Sequence, residues 1–130
     1  MAELDLRALS ARLEALQPDV KAAYARLDAK WVEITQVLRN LSIPGKIAFT
    51  YSCDENSEDH CAIEFVKWNG ERRLCDVYYG YDTHIGGFRS ETTPFEEWSA
   101  ETRVDLLEHV PALFKVAENE ARKFIKRIPR

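Results

Sequence analysis

No apolar run in this sequence approaches the roughly 18–20 residues that a bilayer-spanning helix needs, so a membrane is not an expected partner. Positive charge is also in short supply: 18 Lys and Arg stand against 22 Asp and Glu, for a formal charge of −4. Nucleic-acid binding draws most of its affinity from Lys and Arg on phosphates, so nucleic acid is excluded as a general partner too. Cysteine is sparse, with three in 130 residues. That is too few for a disulfide framework, and free thiols fit a reducing interior, which makes the cytoplasm the expected location. The opening MAELDLRALSARLEAL is charged throughout, unlike a secretory signal. No internal repeat, low-complexity tract or C-x2–4-C zinc knuckle occurs. Gly86-Gly87 is not followed by Lys-Ser/Thr, which removes a phosphate loop.

What is present describes a packed domain. A chain of this length buries roughly two thirds of its unfolded surface and needs no staple. Hydrophobic and charged fractions of 45% and 31% are those of an ordinary soluble globular protein rather than a disordered one. Residues 1–130 are expected to form a single domain.

From Val20 the apolar positions Val20, Tyr24, Leu27, Trp31, Ile34, Leu38 and Leu41 recur at alternating steps of four and three, which predicts one stripe of a long helix. Pro44 and Gly45 end it. Upstream, Leu6, Leu9, Leu13 and Leu16 predict a shorter helix, and Pro18 either separates the two or only bends the path between them. The middle of the chain reads as β. Ile47, Phe49 and Tyr51 alternate with Ala48, Thr50 and Ser52, and Asn69-Gly70 marks a type I′ hairpin because both residues tolerate positive φ. A short fourth strand fits around Gly87–Glu91. Thr93-Pro94-Phe95-Glu96 matches a capping box, with Ser99 as a second N-cap. Apolar residues from Val104 to Ile128 predict a helix that Pro111 kinks or restarts near His109. The expected fold class is therefore α+β: N-terminal helical segments, an antiparallel meander of three to four strands, and C-terminal helices packed on the sheet.

The densest chemistry lies in YSCDENSEDHCAIEFVKWNGERRLCDVYY, which holds all three cysteines. A two-residue Asn-Gly turn sets Trp68 opposite Glu71, Phe65 opposite Leu74, Glu64 opposite Cys75 and Cys61 opposite Tyr78. Side chains alternate between faces, so Cys61 and Cys75 point to opposite sides and cannot share an ion. No metal and no cofactor are expected. Cys53 continues the inward series Ile47, Phe49, Tyr51, and Cys61 begins the inward series Ile63, Phe65. The two are expected across the neck of the loop Asp54–His60, either as a redox pair that stays reduced in the cell, as a two-thiol metal perch with His60, or as two small buried hydrophobes. The acidic loop lacks the glycine and distal Glu of a calcium loop.

A second stretch, Tyr78–Arg89, collects aromatics, glycines, Asp82, His84 and Arg89 at the exit of a sheet, where binding loops often sit. Asp82 is placed to orient His84 as a base, but no nucleophile accompanies them. The far face of the hairpin, with Ala62, Val66, Trp68, Cys75, Val77 and Tyr79, is nearly as apolar as the core face. Something is expected to cover it and to shield Trp68: the chain's own helices, a second copy, or another protein. The regular stripe of the long helix raises the same question, its mate within the chain being the C-terminal helix. The sequence thus points to a non-enzymatic protein-binding or assembly module that pairs with itself as a homodimer or with another protein, with Val66, Trp68, Val77 and Tyr79 as contact residues. The alternative is a small-molecule-binding or enzymatic domain built on Tyr81, His84 and Arg89 of the Tyr78–Arg89 loop.

Overall fold

The computed structural model describes residues 4–130. One long helix, α1 (Leu6–Asn40), precedes four strands, β1 (Ile47–Cys53), β2 (His60–Trp68), β3 (Glu71–Asp82) and β4 (Gly87–Pro94). A 3₁₀ turn (Phe95–Glu97) leads into α2 (Ala100–Leu107) and α3 (Val110–Arg127). The class is α+β, with the strands in the order β1-β2-β3-β4 and every neighbouring pair antiparallel. Among the described residues no helix is long and apolar enough to cross a membrane.

Asp5 starts α1 by accepting the Ala8 N–H at 3.1 Å, an ordinary side-chain cap. The helix continues through Pro18 without a break and runs 35 residues, about 52 Å at 1.5 Å per residue. Proline here neither separates two helices nor ends one. It removes one N–H from the ladder, and the Gln17 side-chain amide beside it donates to the Leu13 carbonyl one turn back at 3.2 Å. At the other end, Gly45 at φ 101° turns the chain toward β1. Arg72 ties this exit to the sheet by donating to the Ile43 carbonyl, while Arg39 donates to the Arg72 carbonyl, both at 2.9 Å.

The β2–β3 register is the one the Asn-Gly turn demands: Trp68 faces Glu71, Phe65 faces Leu74, Glu64 faces Cys75 and Cys61 faces Tyr78. Asn69 at φ 51° and Gly70 at φ 87° are both left-handed, as type I′ requires. Strand β4 reaches Pro94, beyond the short segment expected, and Pro94 pairs with Cys75 on the sheet's edge. Held in the ladder, Thr93 cannot cap a helix. Ser99 does so instead, accepting the Thr102 N–H at 3.2 Å. Pro111 lies in the first turn of α3, where a missing N–H is harmless, so the chain restarts at His109 rather than kinking.

All helices that build the core lie on one face of the sheet. Trp31, Ile34 and Leu38 of α1 meet Ile47, Ile63, Phe65 and Leu74 of the strands, with Phe95, Trp98, Leu106 and Leu113 closing the sides. Trp31 is fully buried, edge-on to Trp98 at 5.0 Å between ring centres, and its indole N–H donates to the Arg103 carbonyl at 3.0 Å. The mate of α1 is thus α2, the first piece of the split C-terminal helix, while α3 lies over β1. Burial of each such large side chain stabilises the fold by about 1.5–3 kcal/mol.

Candidate functional site

The far face of the sheet carries Val66, Trp68, Val77 and Tyr79, and no residue of that face belongs to the core cluster. Among the described residues no helix covers it, so of the covers expected the chain's own helices are not the one. The sheet roofs itself. Across the strands Ala62 pairs with Val77, and Tyr79 sits one row away opposite His60. The Tyr79 hydroxyl donates to Glu64, four residues beyond His60 and two rows along the same face of β2, so the phenol ring lies over the Ala62–Val77 row between them. His60 stacks on the same ring at 4.8 Å. Beneath this roof Ala62 and Val77 are buried, as is Glu64, whose second oxygen pairs with Lys46 at 3.5 Å. Burial, and next the hydrogen bond to Glu64, push the Tyr79 hydroxyl up to about 12, so it remains a donor across the physiological range. Val66 is half-buried, and Trp68, at the hairpin tip, is 37% exposed in the single chain.

The thiols separate. The register slips between Thr50 and Ser52, a β-bulge that makes Tyr51 an extra residue. Ser52 consequently pairs with Cys61, and Cys53 pairs with His60 on the far face. Cys53 is exposed and Cys61 half-buried on the core side, so they do not meet across the neck of the loop. Cys75 is fully buried and faces away from Cys61, as the hairpin register requires. Burial, followed by the charge of Glu64, raises the Cys75 thiol to about 11, and burial followed by Asp76 raises that of Cys61. A nucleophilic or redox-active cysteine needs the opposite displacement.

At the bulge the extra residue has a use. Tyr51 turns toward α3, stacks on His109 at 5.2 Å and donates to Asp76 at 2.6 Å. Its phenol is raised well above the ordinary range, first by burial and then by Asp76. This cluster fills the end of the core with hydrogen-bonded rings and offers no activated group.

Tyr78–Arg89 is not a loop but the arms of the β3–β4 hairpin, joined by a turn at residues 83–86. Asp82 accepts the backbone N–H of His84 at 2.8 Å rather than orienting its imidazole. Arg89 is engaged by Glu91 at 3.1 Å and by Asp82 at 3.7 Å. Tyr81 packs edge-on against Phe88 at 5.5 Å, on the far face of the sheet. Tyr81, His84 and Arg89 therefore share a hairpin without converging on a common point.

A long exposed apolar surface lies elsewhere. Every residue from Leu4 to Arg26 is exposed, and only from Leu27 onward does α1 touch the body of the fold. Leu6, Leu9, Leu13, Leu16, Val20 and Tyr24 form one stripe along this outer arm, with Leu6 69% and Leu13 63% exposed. Where the arm meets the body, Val20, Tyr24 and Leu27 with Ala100, Val104 and Leu107 of α2 line an apolar groove of about 540 Å³. A second groove of about 490 Å³, with Leu41, Pro44, Phe124 and Ile125 among its walls, lies at the other end of α1. The sequence carried the signal for the arm in its leucine spacing. That spacing predicts a shorter helix and no more, because periodicity identifies an apolar face without saying what meets it. No protein-family model matches the chain, and neither a curated protein nor a solved structure matches it.

Proposed function

We propose that the protein is a non-enzymatic assembly module whose working surface is the outer arm of α1. The body of the fold anchors the arm through Trp31, Ile34 and Leu38 and holds it clear of the sheet. One observation carries the reading: six large apolar side chains at helical spacing stand in water along a helix whose packing needs are already met further down. An amphipathic face of that length gains stability by burial against another helix. The unbridged thiols suit a reducing compartment, and the cytoplasm is the location that goes with this role.

The reading separates assembly from folding. In dilute solution, where chains are single, Leu9→Ser with Leu16→Ser should leave the urea midpoint followed by Trp31 and Trp98 fluorescence unchanged. Buried leucines replaced in a core lose roughly 2–5 kcal/mol each. A loss of that size in the arm variant would mean that the stripe serves the fold, and the proposal would fall.

A further inference from the structure

The arm fits a second copy of itself, and the geometry points to an antiparallel pair in which each arm lies along the other with its tip at the α1–α2 groove. This rests on the assembly role of the arm and goes beyond it by naming the partner and the orientation. In heptad notation Leu6, Leu13, Val20 and Leu27 occupy position a, and Leu9, Leu16 and Ala23 occupy position d. Further along, the stripe shifts to Trp31, Ile34 and Leu38, which the body already buries. Row a continues through Ile34 into the buried part of the helix, but the apolar d row breaks at Lys30, so a paired a/d seam is confined to the exposed arm. Pro18 falls at position f, on the side away from the seam, where a missing ladder bond does not disturb packing.

Orientation follows from charge. Asp5, Arg12, Asp19 and Arg26 occupy the flanking g positions, alternating in sign, while Ser10, Gln17 and Tyr24 occupy e. In a parallel pair each g residue meets the e residue five positions on in the other chain, giving Asp5–Ser10, Arg12–Gln17 and Asp19–Tyr24, with no opposite charges matched. In an antiparallel pair g meets g. Placing Leu13 opposite Leu16 of the second copy sets Arg12 beside Asp19 and Asp5 beside Arg26, and two-fold symmetry repeats both contacts. Arg12, Asp19 and Arg26 have no ion-pair partner among the described residues of the single chain. The same register layers Leu9 on Val20 and Leu6 on Ala23 over about 27 Å of helix. Leu6 of the second copy then arrives at the mouth of the groove where Val104, 57% exposed, otherwise faces water.

Sedimentation equilibrium of the full chain at low salt tests this through a charge swap. The wild type should be a dimer that Leu9→Ser with Leu16→Ser converts to a monomer. Arg12→Asp alone and Asp19→Arg alone each place like charges together twice and should weaken the dimer about ten-fold. The double variant Arg12→Asp/Asp19→Arg should return to within about three-fold of wild type. A wild-type chain that stays monomeric at high concentration overturns the second copy as partner. A dimer dispersed by the leucine variant but indifferent to both single reversals overturns the antiparallel register while leaving the arm as the interface. A dimer unaffected by the leucine variant removes both.

Discussion

Arg103 is the residue whose removal should most damage the body of the fold relative to its place on the surface. Its guanidinium pairs with Asp28 of α1 and donates to the carbonyls of Phe95 and Glu96, each at 3.1 Å. Its own carbonyl receives the Trp31 indole. One side chain, 18% exposed, thus fastens α1, α2 and the 3₁₀ turn together. Hydrogen bonds from a charged donor contribute about 1.5–3 kcal/mol each, and two such bonds are lost in Arg103→Ala. The ion pair adds roughly 0–1 kcal/mol, because Asp28 is half-exposed and returns to water. Against this, the buried Nε of Arg103 has no partner, and its removal relieves about 1–3 kcal/mol. The net expectation is a loss of about 2–4 kcal/mol out of a total stability of about 5–15 kcal/mol. A loss of about 3 kcal/mol corresponds to a fall in Tm of roughly 10 °C at this chain length. Urea unfolding of the wild type, Arg103→Ala, Arg103→Lys and Asp28→Ala measures it. Lysine should recover less than half, since one ammonium cannot reach two carbonyls and a carboxylate together. Asp28→Ala should lose under about 1 kcal/mol. A loss below about 0.5 kcal/mol for Arg103→Ala would show that the clasp bears no load and that the helices dock by apolar contact alone.

Three further outcomes are expected. Burial holds the protons of Cys75, Tyr79 and Tyr51 more tightly in the folded chain than in the unfolded one, so their contribution is complete below the unfolded values of 9.0 and 10.0 and is lost as pH rises through about 11 for Cys75 and about 12 for Tyr79, and at still higher pH for Tyr51. Unfolding midpoints taken from pH 8 to 12 should be level at first and then fall, and a rise in that window would contradict the sign. Thiol labelling of the native chain should modify Cys53 first, Cys61 more slowly and Cys75 only on unfolding; mass spectrometry showing a Cys53–Cys61 bridge under mild oxidation would refute their placement on opposite faces. Two glycine substitutions should act by different routes. Gly70→Ala meets no atom within 4 Å but strains a left-handed backbone, a loss of about 1–2 kcal/mol in unfolding free energy. Gly80→Ala would instead strike the Tyr78 hydroxyl at 2.6 Å and lift it from Asp59, so the raised Tyr78 titration, followed by absorbance at alkaline pH, should move down.

The sheet was legible where local chemistry leaves one choice. Asn69-Gly70 admits only a tight type I′ reversal, and the whole β2–β3 register follows from it. The placement of Cys53 failed two residues past a bulge that no glycine or proline announces, because counting by twos carries a single inserted residue forward as a wrong face. Thr93-Pro94 carries the letters of a helix start, yet its backbone groups were claimed by the longer-range ladder with β3. That the chain's own helices leave the far face bare was not legible for a similar reason: residue type told that Ala62 and Val77 are apolar, but not that Tyr79 would lean across them toward Glu64. The arm of α1 was visible as helix and invisible as surface, since what leaves Leu6 to Tyr24 exposed is the position of the body, not the letters of the arm.

The meander has a consequence for how the chain is made. Each strand bonds only to the next in order, so the rungs close short spans and should form quickly once translated. Trp31 is different: its seat is completed by Trp98 and by the backbone of Arg103, on the far side of all four strands. During synthesis the helix therefore leaves the ribosome with both its leucines and its tryptophan bare, and Trp31 must wait for the 72 residues that end at Arg103. Until residue 103 has emerged, a nascent chain in that state carries apolar surface that the finished body buries.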